Sequence, residues 1–255
     1  MLINKFTIGA DPEFAVLRDS QVVNVGDIEG PRLHSDHLGD VLEFTPAPVK
    51  SAFVLTKNIN AILKEDDYIK HFDRTVKLVG GAVVKSNRRL VTLGGHIHFS
   101  DRTIWECPNK EEALDRTTRI LETLDILPKE DSARRRRSGM GNGYGSWHDL
   151  RWSNDEKTIE YRTMCSWLHH PFAAFLCLTF GKLAVAQSKA ILDNLIVKKA
   201  SYQTLEKSLR LFNDADAQRA IEKLFEKKVD LTAKIDVDIR DSWKSISKLY
   251  RRASA

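Results

Sequence analysis

Three short stretches of this chain set two ionisable residues at positions i and i+2 inside an alternating apolar pattern: Asp11 and Glu13, His96 and His98, Glu160 and Arg162. Successive side chains of a β-strand point to opposite faces, so each pair shares one face and its apolar neighbours take the other. Phe6, Ile8, Ala10, Phe14 and Val16 oppose the first pair, and Val91, Leu93, Ile97 and Phe99 oppose the second. Such strands suit a sheet with one face packed on a core and the other open and charged, the usual situation of antiparallel sheets. Val41 to Thr45, closed by Pro46 and Pro48, adds a strand that turns Leu42 and Phe44 to the core and Glu43 to the polar side.

The rest of the chain fits around that sheet. Strands are expected at Gln21 to Val25, at Val76 to Val79, over the whole of Val91 to Ser100, and at Thr158 to Met164. Helical spacing covers 51–64, and a second helix capped by Asn109 carries the stripe Leu114, Thr117, Ile120, Leu121 and Leu124 before Pro128 ends it. After Pro171 the pattern turns helical, roughly over 171–198, 202–211, 214–228 and 236–252. The expectation is an α+β fold: a sheet domain over 1–168 with packing helices, and a helical C-terminal region over 169–255 packed on it.

Between helix and last strand, residues 131–149 are polar, with arginines at 134 to 137 and glycines at 139, 141, 143 and 145. A stretch of this length inside a domain is usually functional or disordered. The glycines allow close backbone approach to an anion, and Arg151 adds a bidentate donor, but no Gly-Lys-Ser/Thr follows as in a P-loop. A solvated turn or a nucleic-acid patch is the other reading of the arginine run.

Composition narrows the class. With 42% hydrophobic and 29% charged residues, the chain is an ordinary globular protein and not a disordered one. Its net charge of +5 lies wholly in residues 186–255, since residues 1–185 hold 25 basic and 25 acidic side chains. That diffuse excess is weak evidence for nucleic-acid binding. The balanced part hides two opposed clusters: residues 1–50 have eight acids and four bases, and 134–151 has five arginines and one acid. Cys107, Cys165 and Cys177 show no close pairing and suit a reduced cytoplasm, with Cys165 packed beside Trp167. No signal peptide is expected at the N-terminus, and the uncharged run 163–181 is broken by His169-His170-Pro171, so a core helix is expected and not a membrane span.

Several carboxylates on one face repel and take up protons unless cations offset them. Oxygen-rich donors with one or two imidazoles suit Mg²⁺ or Mn²⁺, ions that commonly hold nucleotide phosphates.

In Gly9-Ala10-Asp11-Pro12-Glu13-Phe14, Asp40 with Glu43-Phe44-Thr45-Pro46, Gly94-Gly95-His96-Ile97-His98-Phe99, Gly143-Tyr144-Gly145 leading to Arg151, and Ile159-Glu160-Tyr161-Arg162, the chain resembles the glutamine synthetase superfamily. More narrowly it resembles the bacteriophage-type carboxylate-amine ligases, the amidoligases of the second type. The motifs spread over residues 6–168. The resemblance implies an antiparallel sheet folded into a funnel, ATP entering one end, and two or three Mg²⁺ or Mn²⁺ ions held by Asp11, Glu13, Glu43, His96 and Glu160. It implies His98, Tyr144 and Arg137 on the nucleotide, Arg162 against the transferring phosphate, and Arg151 on phosphate or the substrate carboxylate. The superfamily usually has Glu where this chain has Asp11, a side chain one methylene shorter.

The activity so implied joins a small-molecule or peptide carboxylate to an amine through an acyl phosphate, in the host cytoplasm if the chain is phage-encoded. The same acids and histidines would also serve a metal-dependent hydrolase. A non-enzymatic nucleic-acid or assembly protein would account for the arginine run but leave the alternating pairs without a purpose. The substrates and the oligomeric state stay open at this point.

Overall fold

The computed structural model describes residues 6–36, 39–86, 89–100, 110–123, 125–128, 131, 145–152, 157–186 and 237–246. Its strands are β1 (Ile8–Arg18), β2 (Gln21–Val22), β3 (Leu33–Ser35), β4 (Leu42–Phe44), β5 (Val76–Val79), β6 (Val83–Ser86), β7 (Arg89–Thr92), β8 (Gly95–Ser100), β9 (Leu150–Trp152) and β10 (Thr158–Tyr161). The described helices are α1 (Ala52–Glu65), α2 (Asp67–His71), α3 (Lys110–Thr123), α4 (Pro171–Ala186) and α5 (Ile239–Ser242). The chain is thus a mixed α/β protein built on an antiparallel sheet.

The long strand β1 organises that sheet. Its first half pairs with β8, its middle with β4 and its second half with β5 and β2, every pairing antiparallel. Across the sheet the order is β3-β4-β1-β8-β10-β9, and β6 and β7 form a separate hairpin. The alternation read from the sequence decides the faces. Ile8, Ala10, Phe14, Val16, Leu42, Phe44, Ile97, Phe99, Ile159 and Tyr161 are all buried in one core with α1, α3 and α4.

Helix α4 packs against α1, α3 and β8. Apart from Thr179 and Lys182 it is apolar on all sides, as suits a helix enclosed by other elements, and Pro171 starts it where a missing N–H costs nothing. The Ser51 hydroxyl accepts the Val54 N–H to open α1, and Asp66 both closes α1 and caps α2 through the Tyr68 N–H at 3.0 Å. Near the C-terminus, Arg240 donates to the carbonyls of Phe72, Asp73 and Val76 at 2.7, 3.3 and 2.5 Å, and Trp243 Nε1 donates to Leu168 O at 2.7 Å. These bonds tie 237–246 to β5 and to the end of the sheet.

Three strand expectations need correction. Val91 to Ser100 is not one strand: β7 ends at Thr92 and β8 starts at Gly95, because the backbone between them bonds elsewhere. Leu93 N–H donates to Ala82 O at 3.0 Å and Gly95 N–H to Met164 O at 2.9 Å, which carries the chain from the β6–β7 hairpin into the main sheet. Gln21 to Val25 shortens to Gln21–Val22, and the strand from Thr158 stops at Tyr161. The expected helix over 171–198 is described as far as Ala186, and those over 202–211 and 214–228 lie outside the described residues. Among the described residues no helix is long and apolar enough to cross a membrane.

Candidate active site

Strand register brings the polar residues together. Asp11 lies opposite His96, Glu13 opposite Glu43, and Glu160 opposite both His98 and Arg151 on its two sides. Directly opposed residues have Cβ atoms roughly 5 Å apart, so side chains on neighbouring strands of one face must interact.

The contacts are close. His98 Nε2 is 2.9 Å from Asp11 Oδ1. His96 Nδ1 lies 3.2 Å from Glu160 Oε1 and 3.6 Å from Asp11 Oδ1, and its Nε2 lies 3.8 Å from Glu13 Oε1. Arg151 Nε donates to Glu160 Oε2 at 2.7 Å, with its Nη2 at the same distance, and Arg162 Nε is 3.3 Å from Oε1. Glu13 Oε2 accepts the Gly94 N–H at 2.6 Å, which fixes that carboxylate against the start of β8. Glu13, His96 and Glu160 are buried.

Charge on this face is unevenly balanced. Burial alone would raise the Asp11 carboxyl, but hydrogen bonds and charge from His96 and His98 hold it well below the usual range. Burial opposes protonation of the two imidazoles, yet Asp11, with Glu160 for both and Glu13 for His96, keeps them above their ordinary value. Glu43 is compensated less: burial first, then the charges of Asp11 and Glu13, push it up to about 8 against the opposing charge of His96. Among the described residues the arginines gather on Glu160, and Glu43 keeps its proton chiefly because it is buried.

Asp11, His98 and Glu160 each offer one ligand atom, all within 4.8 Å of one another. Asp11 Oδ1 and Glu160 Oε1 are sealed from solvent, with imidazole nitrogens 2.9 and 3.2 Å away. Two such oxygens with an imidazole fit a divalent cation of the Mg²⁺ or Mn²⁺ kind.

Of the residues singled out in the sequence, Asp11, Glu13, His96, His98, Arg151, Glu160 and Arg162 form this one cluster, with Glu43 on the adjoining row. Tyr144, Arg137 and the other arginines of the run lie outside the described residues. Two features escaped the sequence reading. His34 on β3 faces Glu43, with Nε2 3.8 Å from Oε1. Asp115 on α3 is buried and accepts the Tyr161 hydroxyl at 2.7 Å, the His148 N–H at 3.1 Å and His148 Nδ1 at 2.9 Å. A short alternation, Leu33-His34-Ser35, was the only signal for His34, and Asp115 resembles any acid on an amphipathic helix.

An antiparallel sheet backed by helices, with acids, imidazoles and arginines on its open face, presents the residue set of a candidate metal and anion site. The chain belongs to the phage phiEco32-like COOH.NH2 ligase-type 2 family, whose sequence model matches residues 8–245. It is therefore a member of a family of carboxylate-amine ligases. Among solved structures, a bifunctional glutathione synthetase from Pasteurella multocida aligns with 100% of this chain and 53% of its own at 11% identity and a TM-score of 0.44. A novel glutamine synthase homolog aligns with 96% of this chain and 71% of its own at 14% identity and a TM-score of 0.38. The chain spans about half the length of the glutathione synthetase. No curated protein sequence matches it.

Proposed function

We propose that the chain is an ATP-dependent carboxylate-amine ligase that forms an amide or peptide bond through an acyl phosphate. The observation that carries this reading is the convergence of Asp11, His98 and Glu160 donor atoms within 4.8 Å, flanked by Arg151 and Arg162. Asp11, Glu13, Glu43, His96 and Glu160 hold Mg²⁺ or Mn²⁺ in this reading, and His98 lies toward the ATP phosphates. Divalent ions there supply charge to offset the phosphates and polarise the phosphorus under attack.

The chain's own part is electrostatic and positional. The substrate carboxylate oxygen attacks the γ-phosphorus and ADP leaves; the amine nitrogen then attacks the acyl carbon, phosphate leaves, and a proton is released. Arg162, packed against Glu160, is placed to offset charge on the transferring phosphoryl group. Arg151 has a side chain 62% exposed, so it can exchange one oxygen of Glu160 for phosphate or the substrate carboxylate with little rearrangement. Glu13, fixed by the Gly94 N–H, needs no reorganisation when a cation arrives. Tyr144 and Arg137 complete the nucleotide contacts, the polar face forms the inner wall of a funnel, and residues 169–255 form the helical region packed on the sheet domain. The setting is cytoplasmic.

The test is release of ADP by the purified chain with Mg²⁺ or Mn²⁺. Release is expected to require a carboxylate and an amine together, and to fall at least about 100-fold in Glu13→Gln and Glu160→Gln. If ATP does not bind with either metal present, the reading is wrong. Turnover without any nucleotide would instead identify a metal-dependent hydrolase.

A further inference from the structure

Helix α1 packs on the core side of the sheet, the side opposite Asp11, His98 and Glu160. There a cavity of about 380 Å³ lies between the end of α1, α2 and the segment 237–246. That volume is at the lower end of the roughly 300–1,000 Å³ usual for small-ligand sites. Its walls come from two distant stretches of chain, 60–74 and 240–244, which the bonds from Arg240 to the carbonyls of Phe72, Asp73 and Val76 hold together.

The exposed side chains of Lys64, Lys70, Arg74 and Lys244 line this cavity, and among the described residues none that lines it is acidic. The acids within reach do not use up these cations. Arg74 and Lys244 share a single oxygen, Asp241 Oδ1, at 3.2 and 2.7 Å, and Lys70 meets Asp67 at 3.2 Å. Exposed pairs of this kind are weak and exchange readily for a better partner. Lys64 makes no ion pair or hydrogen bond with any described residue. The rest of the lining is apolar: Leu63, Ile69 and Trp243 are buried and Phe72 is half-buried. Between the two kinds of wall sits Asn60, 9% exposed, whose Oδ1 is sealed from solvent without a hydrogen-bond partner. A buried amide left unpaired is costly, and a half-turn that exchanges its oxygen for its NH₂ would break no bond, so Asn60 can offer a ligand either a donor or an acceptor.

Four cations around one space call for an anion with several oxygens, and a phosphate accepts from several ammonium and guanidinium groups at once. The apolar wall and the unpaired amide call for more than a bare ion: a flat apolar body with a polar edge. We infer that this cavity binds a small organic phosphate that carries a ring with a polar edge, the class to which mononucleotides belong. The phosphate lies among Lys64, Lys70, Arg74 and Lys244, the ring lies against Leu63, Ile69 and Phe72, and its edge meets Asn60. The site needs no divalent ion and is independent of the ligase reading. A ligand held there bridges α1 and α2 to the segment 237–246, so its binding also secures that segment.

The measurement is calorimetric titration of the full chain with AMP, in EDTA so that no divalent ion carries a nucleotide to the face of Asp11 and Glu160. AMP is expected to bind at least about tenfold more tightly than inorganic phosphate or citrate, and to raise the melting temperature. Lys64→Glu and Lys244→Glu should each weaken AMP at least about tenfold, and Glu160→Gln should leave its affinity unchanged. Both lysines are exposed, so the variants are expected to melt as the wild type does in the absence of AMP. Should either melt early, Lys64→Gln and Lys244→Gln remove the same charges without adding an acid and should weaken AMP in the same direction. Absence of AMP binding overturns the proposal. So does phosphate or citrate binding as tightly as AMP, which would show surface charge alone, or an affinity for AMP that the lysine variants leave unchanged. Loss of AMP binding in a folded Glu160→Gln overturns it as well, because the nucleotide would then sit on the other face of the sheet.

Discussion

A methyl group on Gly95 would lie 2.3 Å from Cys165 O and 2.7 Å from two atoms of the Trp167 ring. The reason is a close crossing: Gly94 bridges to Cys165, Gly95 N–H bonds Met164 O, and Trp167 Nε1 returns a bond to Gly95 O at 3.1 Å. Neither backbone nor a buried tryptophan can step aside easily, so Gly95→Ala should cost about 1–3 kcal/mol or more, read from urea denaturation. Gly9→Ala is the control. Its new carbon would meet His98 Cβ and Pro48 Cβ at 3.5 and 3.6 Å, ordinary contact distances, and should cost little. Equal losses in the two variants would show that the crossing does not set the tolerance. At this scale the paired residues were legible because alternation needs only the local sequence. His34 was not, since a three-residue strand holds too few positions to display a period of two.

The element that sets the arginines is a turn held from the opposite side of the sheet. Asp115 on α3 takes His148 and the Tyr161 hydroxyl, Arg119 lies 4.1 Å over the Trp147 ring, and Asp149 O accepts the Arg162 N–H at 2.9 Å. The turn thereby connects α3 to both Arg151 and Arg162. His148 adopts φ 65°, a conformation that Asn tolerates better than most residues. His148→Asn can keep a side-chain donor near Asp115, whereas His148→Ala leaves only the backbone N–H. The alanine variant should lower ADP release on the order of tenfold with a small change in melting temperature, and the asparagine variant should recover most of it. Equal rates in wild type and both variants would detach the turn from catalysis. None of this was readable in advance, because nothing in the Lys110–Thr123 pattern separates Asp115 from its acidic neighbours until the fold places it under Tyr161. The same limit explains the split between β7 and β8: the alternation continues through both strands, and only bonds to distant segments break them apart.

Over the whole molecule, one face of the sheet supplies the core and the other gathers charge whose cost depends on pH. The folded state raises Glu43 from 4.5 to about 8, so its contribution to stability is full below pH 4.5 and is lost as pH climbs to about 8. His96 and His98, held above 6.5 by their carboxylate partners against burial, likewise contribute below 6.5 and lose that contribution at higher pH. Burial lowers His169 to about 4, which acts in the opposite sense: its contribution is complete above 6.5 and fades as pH falls to about 4. From pH 4.5 to 6.5 the slopes of Glu43 and His169 oppose each other, and above 6.5 only the downward slopes remain. The cation-free protein should therefore hold a plateau over that range and lose stability on the alkaline side. A divalent ion supplies the charge that the departing protons no longer provide. Each pKa unit is worth about 1.4 kcal/mol, or roughly 3–6 °C for a chain of this size, so saturating Mn²⁺ should raise the melting temperature by several degrees more at about pH 8 than at about pH 5.5. Glu43→Gln, which has no proton to lose, should shrink that difference and flatten the alkaline decline. If Mn²⁺ stabilises equally at both pH values, or if the cation-free protein grows more stable between pH 6.5 and about 8, the charge on the open face does not govern the stability of this fold.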